Sequence, residues 1–523
     1  MPKAYLVGSG IASLSAAAFL IREGNFTGPD IMILEEQGRD GGSLDAAGSP
    51  ETGYTMRGGR MFEIHFECTY DLLASIPSLD DPSKSVTADT FAFHEDFAWD
   101  DHARLVDATG KVVAAHSMGF TERDRLELIK CSATPESRLD GKRITDCFSE
   151  GFFTTNFWWM WCTTFAFEPW HSAIEFRRYL NRFIHLFKTF DSMSGIYRTR
   201  FNQYDSIVRP LVKWLTDQGV TIQLDTRVTD LALADGDGLA VTALTWVRNG
   251  EAETLPVSGD DLVMVTNGSM TAGSTLGSTD SAAPLDTSDS SGAWQLWQSL
   301  ADKRPDLGNP RVFNSSIAES TWASFTVTTK DPTFFELMEK FSGSEAGKGG
   351  LITFKDSSWL LTIVLNHQPH FRDQPEDTYV WWGYALFPDN SGDHVTKPMR
   401  ECTGREILDE VLHHLPFDAD ATTVMLDRST VIPALMPYIT SQFLVRKAGD
   451  RPQVVPEGST NLAFIGQYAE VPDDVVFTVE YSVRTAWTAV AQLLDLDRQP
   501  PPVYQGRHDP KVLVEALATM HRR

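Results

Sequence analysis

A short apolar strand that stops at a glycine turn and runs straight into an alanine-rich helix constrains this 523-residue chain more than any other feature. Residues Lys3 to Gly8 (KAYLVG) have the apolar run of a buried strand, Ser9 to Gly24 carry a helical pattern, and Asp30 to Leu34 (DIMIL) form a second strand. Together they make one βαβ unit. The turn reads Gly8-Ser9-Gly10-Ile11-Ala12-Ser13, a G-x-G-x-x-G pattern with serine in its third slot. Gly8 permits the tight turn, Gly10 lets a pyrophosphate approach the backbone at the helix N-terminus, and a small Ser13 lets the helix pack on the sheet. Glu35 follows Ser13 by 22 residues, at a strand end where a carboxylate accepts hydrogen bonds from ribose hydroxyls. The reading is an α/β chain with a Rossmann-like dinucleotide-binding domain.

A second glycine turn, Gly41-Gly42-Ser43, comes just after the acidic strand, and a distant strand-turn pattern, Leu462 to Gln467 (LAFIGQ), brings the chain back to the site through Gly466. A nicotinamide domain rarely needs such a return, so FAD is favoured. Arg57, Gly58 and Gly59, Val228 in the run DTRVTDL, and Ser269 after the turn Asn267-Gly268 complete the expected flavin side.

The texture then changes. From Thr134 onward an aromatic-dense segment, FFTTNFWWMWCTTFAFEPW, precedes an amphipathic helix with Phe176, Leu180, Phe183, Ile184 and Phe187 at three- and four-residue spacing. Ser206 to Gly219 read as a helix, Val220 to Leu231 as a strand pair, Asp261 to Thr266 as a strand, and Ala272 to Gly292 as a polar loop. The runs WLLTIVLN and TYVWWGYALF predict an antiparallel sheet in a second domain, and Asp509 to Arg523 a final amphipathic helix. The expected organisation is a FAD-binding domain over 1–133, 206–292 and 456–523, the last with C-terminal helices. An inserted α+β substrate domain spans 134–205 and 293–455.

Charge and cysteine usage exclude other classes. Lys+Arg at 45 against Asp+Glu at 71 leaves a formal net charge of −26, which repels phosphate backbones at long range and argues against nucleic acid as a partner. Five scattered cysteines with no Cys-x-x-Cys pair or metal-ligand spacing suit a reduced, cytoplasmic compartment, and no metal is expected. No apolar run reaches the length of a membrane span. The basic C-terminal end reads equally as a peripheral bilayer contact and as a solvated helix packed on the body.

The run Arg57-Gly58-Gly59-Arg60-Met61-Phe62-Glu63-Ile64-His65-Phe66-Glu67-Cys68 carries a family resemblance, as do NFWWMWCTTFAFEPWHSAIEFRRYL, RTRFNQYDSIVRPLVKWL, NGSMTAGSTLGSTD, NHQPHF and FIGQYAEVPDDVVFTVEYSVRTAW. Over nearly its whole length the chain resembles the oleate hydratase family of fatty acid hydratases. The resemblance implies addition of water to the cis-9 double bond of oleic acid, giving 10-hydroxystearic acid, with FAD bound and no net redox change.

It also implies roles. The family's proposed proton donor falls on Tyr179, whose phenol keeps its proton at neutral pH, with Arg177 and Arg178 as neighbours to stabilise the charge left behind. The family's water-activating glutamate directly follows the second arginine of the R-G-G-R string, where this chain has Met61. A thioether cannot take a proton, so either another group positions the water or the mechanism rests on the acid and on placement. Glu63 is the nearest carboxylate, read either as a substitute base or as an ordinary hydrogen-bonded or solvated glutamate, and only an extended backbone puts it on one face with Met61. Gln203, Asn366 and His370 are the implied contacts of the substrate carboxylate, reached without burying a permanent cation, and Met61 borders the substrate. Family members commonly carry a helical extension before the nucleotide turn that helps form their dimer. Here the strand begins at residue 3, so a monomer is expected.

Overall fold

The structure, a computed structural model, describes residues 1–234, 238–288, 291–349 and 351–522. Its first sheet is parallel, in the spatial order Leu462–Ile465, Leu262–Thr266, Ala4–Val7, Ile31–Leu34, Thr221–Gln223. The central strands are apolar throughout because helices cover a parallel sheet. The helix Ile11–Arg22 follows the first strand and packs on Val479–Leu493, with Phe19 stacked on Trp487 at 4.9 Å. The expected return of the chain is thus the strand Leu462–Ile465 and the helix after it.

An eight-stranded sheet builds the second layer, in the order Thr275–Leu276, Ser429–Met436, Trp322–Thr329, Tyr379–Ala385, Leu361–Val364, Leu351–Phe354, Leu105–Val106, Val112–Val113. All its pairings are antiparallel except that of Leu105–Val106 with Leu351–Phe354. Two short strands therefore depart from the expected organisation. Leu105–Val106, inside the first flavin segment, and Thr275–Leu276, inside the expected polar loop, both hydrogen-bond into this sheet. Two-residue strands have too little periodicity to announce a partner.

A hairpin, Ala46–Ser49 with Gly53–Met56, ties the two layers together. The Tyr54 and Met56 N–H groups donate to the hydroxyls of Thr328 (2.9 Å) and Thr326 (3.3 Å) on the large sheet. The chain leaves this hairpin as Arg57 to Met61, which places that run at the junction.

The aromatic segment folds as the helix Asn156–Phe165, capped by the Thr155 hydroxyl, and the helix Ala173–Phe183. The second helix carries the expected apolar Phe176, Leu180 and Phe183, while Ile184 and Phe187 fall in the 3-10 turn Ile184–Thr189 that follows; its polar face is buried as well. Glu175 pairs with Arg446 (2.6 Å) and Arg451 (3.1 Å), and Arg178 with Glu136 (2.8 Å) and Glu470 (2.6 Å). Charges at such depth persist only when paired. The C-terminal helix spans Pro510–Met520, with Met520 buried and Val514 and Leu517 exposed; Arg523 lies outside the described residues. Among the described residues no helix is long and apolar enough to cross a membrane.

Candidate active site

A cleft of about 700 Å³ opens at the carboxyl ends of the parallel strands. That volume suits a bound cofactor. Gly8, Gly10, Glu35, Gly42, Ser43, Arg57, Val228, Ser269 and Gly466 all line it. Gly8 sits at φ +89°, a left-handed conformation that favours glycine. Gly10 caps the helix Ile11–Arg22 without a side chain, leaving the helix N-terminus open toward the cleft. The two glycine turns touch: Gly41 N–H donates to Ser9 O at 3.1 Å, and a Cβ on Gly42 would meet Gly10 Cα at 3.0 Å.

Glu35 is buried and accepts from the Ser9 N–H (2.6 Å), the Ser9 hydroxyl (2.8 Å) and the Gln37 N–H (2.8 Å). Burial raises its pKa, against those hydrogen bonds. Three expected cofactor positions lie elsewhere. Ser13 is behind the cleft, its hydroxyl 3.1 Å from that of Thr266, where its small size closes the helix on the sheet. Gly58 packs against Arg60, whose Nη1 would lie 2.6 Å from an added Cβ, and Gly59 lines two deeper cavities.

Those cavities, about 70 and 60 Å³, share Gly59, Arg60, Met61, Thr164 and Phe477 as a common wall. The smaller holds Tyr179 and Glu63, and the larger gathers Gln203, Asn366 and His370. The structure therefore assembles every implied substrate-side residue around Met61, on segments as far apart in sequence as Met61 and His370. Apolar rings such as Phe165 and Phe183 dominate the smaller cavity's wall, whereas the larger one sets Trp322 and Trp382 among polar and charged side chains.

Tyr179 is buried, and its hydroxyl donates to Val476 O at 2.6 Å. Burial, with Glu175 and Asp474 acting in the same sense, pushes its pKa well above the ordinary tyrosine value. The cation acting on it is Arg60, not Arg177 or Arg178, which are engaged by Glu136. On a helix those two side chains point away from residue 179's face, so adjacency in sequence does not bring them to the phenol. Burial pulls the Arg60 guanidinium down to about 10, opposed by Tyr179 and Asp45. Arg60 reaches Ser43 O at 3.4 Å on the cleft side, which makes it the bridge between cleft and cavities.

The backbone around Phe62 is extended and bridges Tyr197, the condition for Met61 and Glu63 to share a face. Glu63 is nevertheless committed to its neighbours. Its carboxylate meets Arg182 at 2.7 Å, His185 Nε2 at 3.2 Å and the His65 N–H at 2.8 Å. Burial alone would raise its pKa; His185 and Arg182 outweigh it, and the net shift is downward.

Gln203 is also spent internally. Its amide donates to Arg60 O (3.2 Å) and the Thr199 hydroxyl (3.3 Å) and accepts the Arg60 N–H (3.1 Å). Asn366 Nδ2 is buried with no partner among the described residues. Burial pulls His370 down to about 3, so its ring is neutral at physiological pH. Contrary to expectation, the cavity does hold permanent cations: Arg60, buried in the shared wall, and the half-buried Arg198, with Arg200 next to it in the lining. The string RTRFNQYDS contains Arg198 and Arg200, and two basic residues in an otherwise aromatic neighbourhood were the available signal.

The MCRA family model matches residues 1–491 of the chain. An oleate hydratase of Streptococcus pyogenes serotype M49 (strain NZ131) is 40% identical over 524 residues, 98% of this chain and 89% of that protein. A linoleate hydratase of Lactiplantibacillus plantarum is 33% identical over 562 residues, 99% and 98% of the two chains. Among solved structures, an oxidoreductase from Methanosarcina mazei superposes with a TM-score of 0.56 at 12% identity, covering 94% of this chain and 100% of that one. A cyclohexylamine oxidase from Brevibacterium oxydans IH-35A does so at 0.53 and 13%, covering 94% and 99%. At those identities the likeness is one of fold.

Proposed function

The chain belongs to the MCRA family, and from that premise we propose that it is a hydro-lyase adding water to the cis-9 double bond of unsaturated fatty acids, oleic acid to 10-hydroxystearic acid, with FAD in the large cleft. The observation that carries the reading is a protonated, buried phenol in an apolar cavity that shares a wall with the pocket of Gln203, Asn366 and His370.

The residues of this chain supply the following chemistry. Apolar walls take the acyl chain, each buried methylene contributing about 0.8 kcal/mol, while the polar end of the larger cavity sets its register. The Tyr179 hydroxyl gives its proton to one alkene carbon, and the oxygen of a water molecule bonds to the other. The surplus proton of that water restores the phenol, so alkene and water are the only reactants consumed. Arg60 stabilises the transient phenolate. With Met61 in place of a carboxylate, water is held by confinement and orientation more than by a strong base. Gly8, Gly10, Glu35, Gly42 and Gly466 would hold FAD. When bound, the flavin fixes the shape and charge of the site and donates no net electrons, since hydration leaves the overall oxidation state unchanged.

The test is anaerobic incubation of the flavin-loaded protein with oleate in heavy-oxygen water. A labelled hydroxy acid without stoichiometric flavin reduction or oxidation is expected. A changed number of double bonds would replace the reading with lipid redox chemistry, and unaltered oleate with a binding protein.

A further inference from the structure

A chain of net charge −26 that binds a fatty acid anion needs a local source of positive potential. The neutral groups of the larger cavity do not provide it. Gln203 has its amide used inside the protein and His370 is neutral; Asn366 Nδ2 is an unpaired buried amide donor, alongside the unpaired indole N–H groups of Trp99, Trp322 and Trp382, and none of these carries a charge.

Arg198 lines the same cavity. Its guanidinium lies over the Trp99 ring at 4.0 Å and donates to two carbonyls, Phe97 O at 3.5 Å and Gly347 O. These are neutral acceptors. The carboxylate that acts on Arg198 most is Asp101, which already accepts the N–H groups of Ala103 (3.1 Å) and Leu351 (3.0 Å). Burial lowers the Arg198 pKa to about 9, which leaves it charged at neutral pH. Arg200, exposed and over Phe93 at 5.7 Å, carries a second positive charge on the same wall. A cation held by an aromatic ring and two carbonyls, beside an unpaired amide donor, is a site for an anion.

We propose that Arg198 is the specificity-determining anchor of the substrate carboxylate, with Asn366 as its neutral partner, so that the cavity selects fatty acid anions over neutral lipids of the same length. This rests on the fatty acid reading above. It assigns the charge recognition to a residue other than the Gln203, Asn366 and His370 set.

Binding to the flavin-loaded protein is measured with two saturated probes that cannot turn over, stearate and octadecanol. Arg198→Met is expected to weaken stearate about 10- to 100-fold, the loss for removing one charged partner of a buried hydrogen bond, and to change octadecanol less than about threefold. Arg198→Lys, which keeps the charge and loses the planar fork, is expected to fall between. Equal weakening of both probes would reduce Arg198 to a structural role, and unchanged stearate binding would remove it from recognition; either overturns the proposal. Should the wild-type protein bind neither probe, the fatty acid reading itself fails, a result distinct from both.

Discussion

Replacing Tyr179 by phenylalanine separates the proposed proton donor from the aromatic ring that carries it. The ring contacts with Phe167 (4.9 Å), Phe165 (5.1 Å) and Phe183 (5.3 Å) survive the change. What is lost is one hydroxyl and its 2.6 Å hydrogen bond to Val476 O. Leaving that buried carbonyl unpaired costs about 1–3 kcal/mol of folding free energy, a modest part of the stability of a large chain. Losing the proton donor removes a general-acid contribution of about 10²- to 10⁴-fold, or about 2.7–5.4 kcal/mol of barrier at about 1.36 kcal/mol per decade. The expected variant is folded, flavin-loaded and nearly inactive. Initial rates of hydroxy acid formation at saturating oleate, with flavin absorbance and a thermal melt on the same sample, test this. A variant that keeps its flavin and more than about a third of the wild-type rate would refute the assignment of the acid.

Two further outcomes follow from the buried charges. Glu63→Gln leaves Arg182 without its carboxylate, and breaking a buried pair costs about 3–5 kcal/mol. The expected result is a lower melting temperature with the rate per flavin-loaded molecule unchanged; a collapsed rate at wild-type stability would instead make Glu63 the water-activating base. Acid should destabilise the fold in two stages. His370 takes a proton near 6.5 when unfolded but only near 3 when folded, so stability falls as pH drops below 6.5. Glu470, pulled down to about 2 by Arg178 and Arg446 against the cost of its burial, contributes stability that is full above 4.5 and lost as pH falls toward 2. Denaturant titrations at stepped pH check the first stage: burial also pulls His171 down to about 3, so His370→Asn should reduce the slope between pH 6.5 and about 4 and leave the share of His171. An unchanged slope would show that the ring is not held neutral.

The nucleotide turn, its two strands, the acidic strand end and the returning strand were legible in the sequence because each is a local pattern. A glycine conformation, an apolar run and a helical stripe depend on residues a few positions apart. The reaction class was legible through long strings that resemble one family. Side-chain partners were not, since they are chosen by contacts across hundreds of residues. Only the fold shows that the Gly10 and Gly42 turns abut, and that Arg177 and Arg178 serve Glu136 while Arg60 faces the phenol. Only the fold shows, too, that Gln203 is consumed by Arg60 and Thr199 while Arg198 enters the cavity. Periodicity states which face of a helix is buried. What a buried charge meets there is decided by the segment packed against it, here the C-terminal return that closes over Ala173–Phe183.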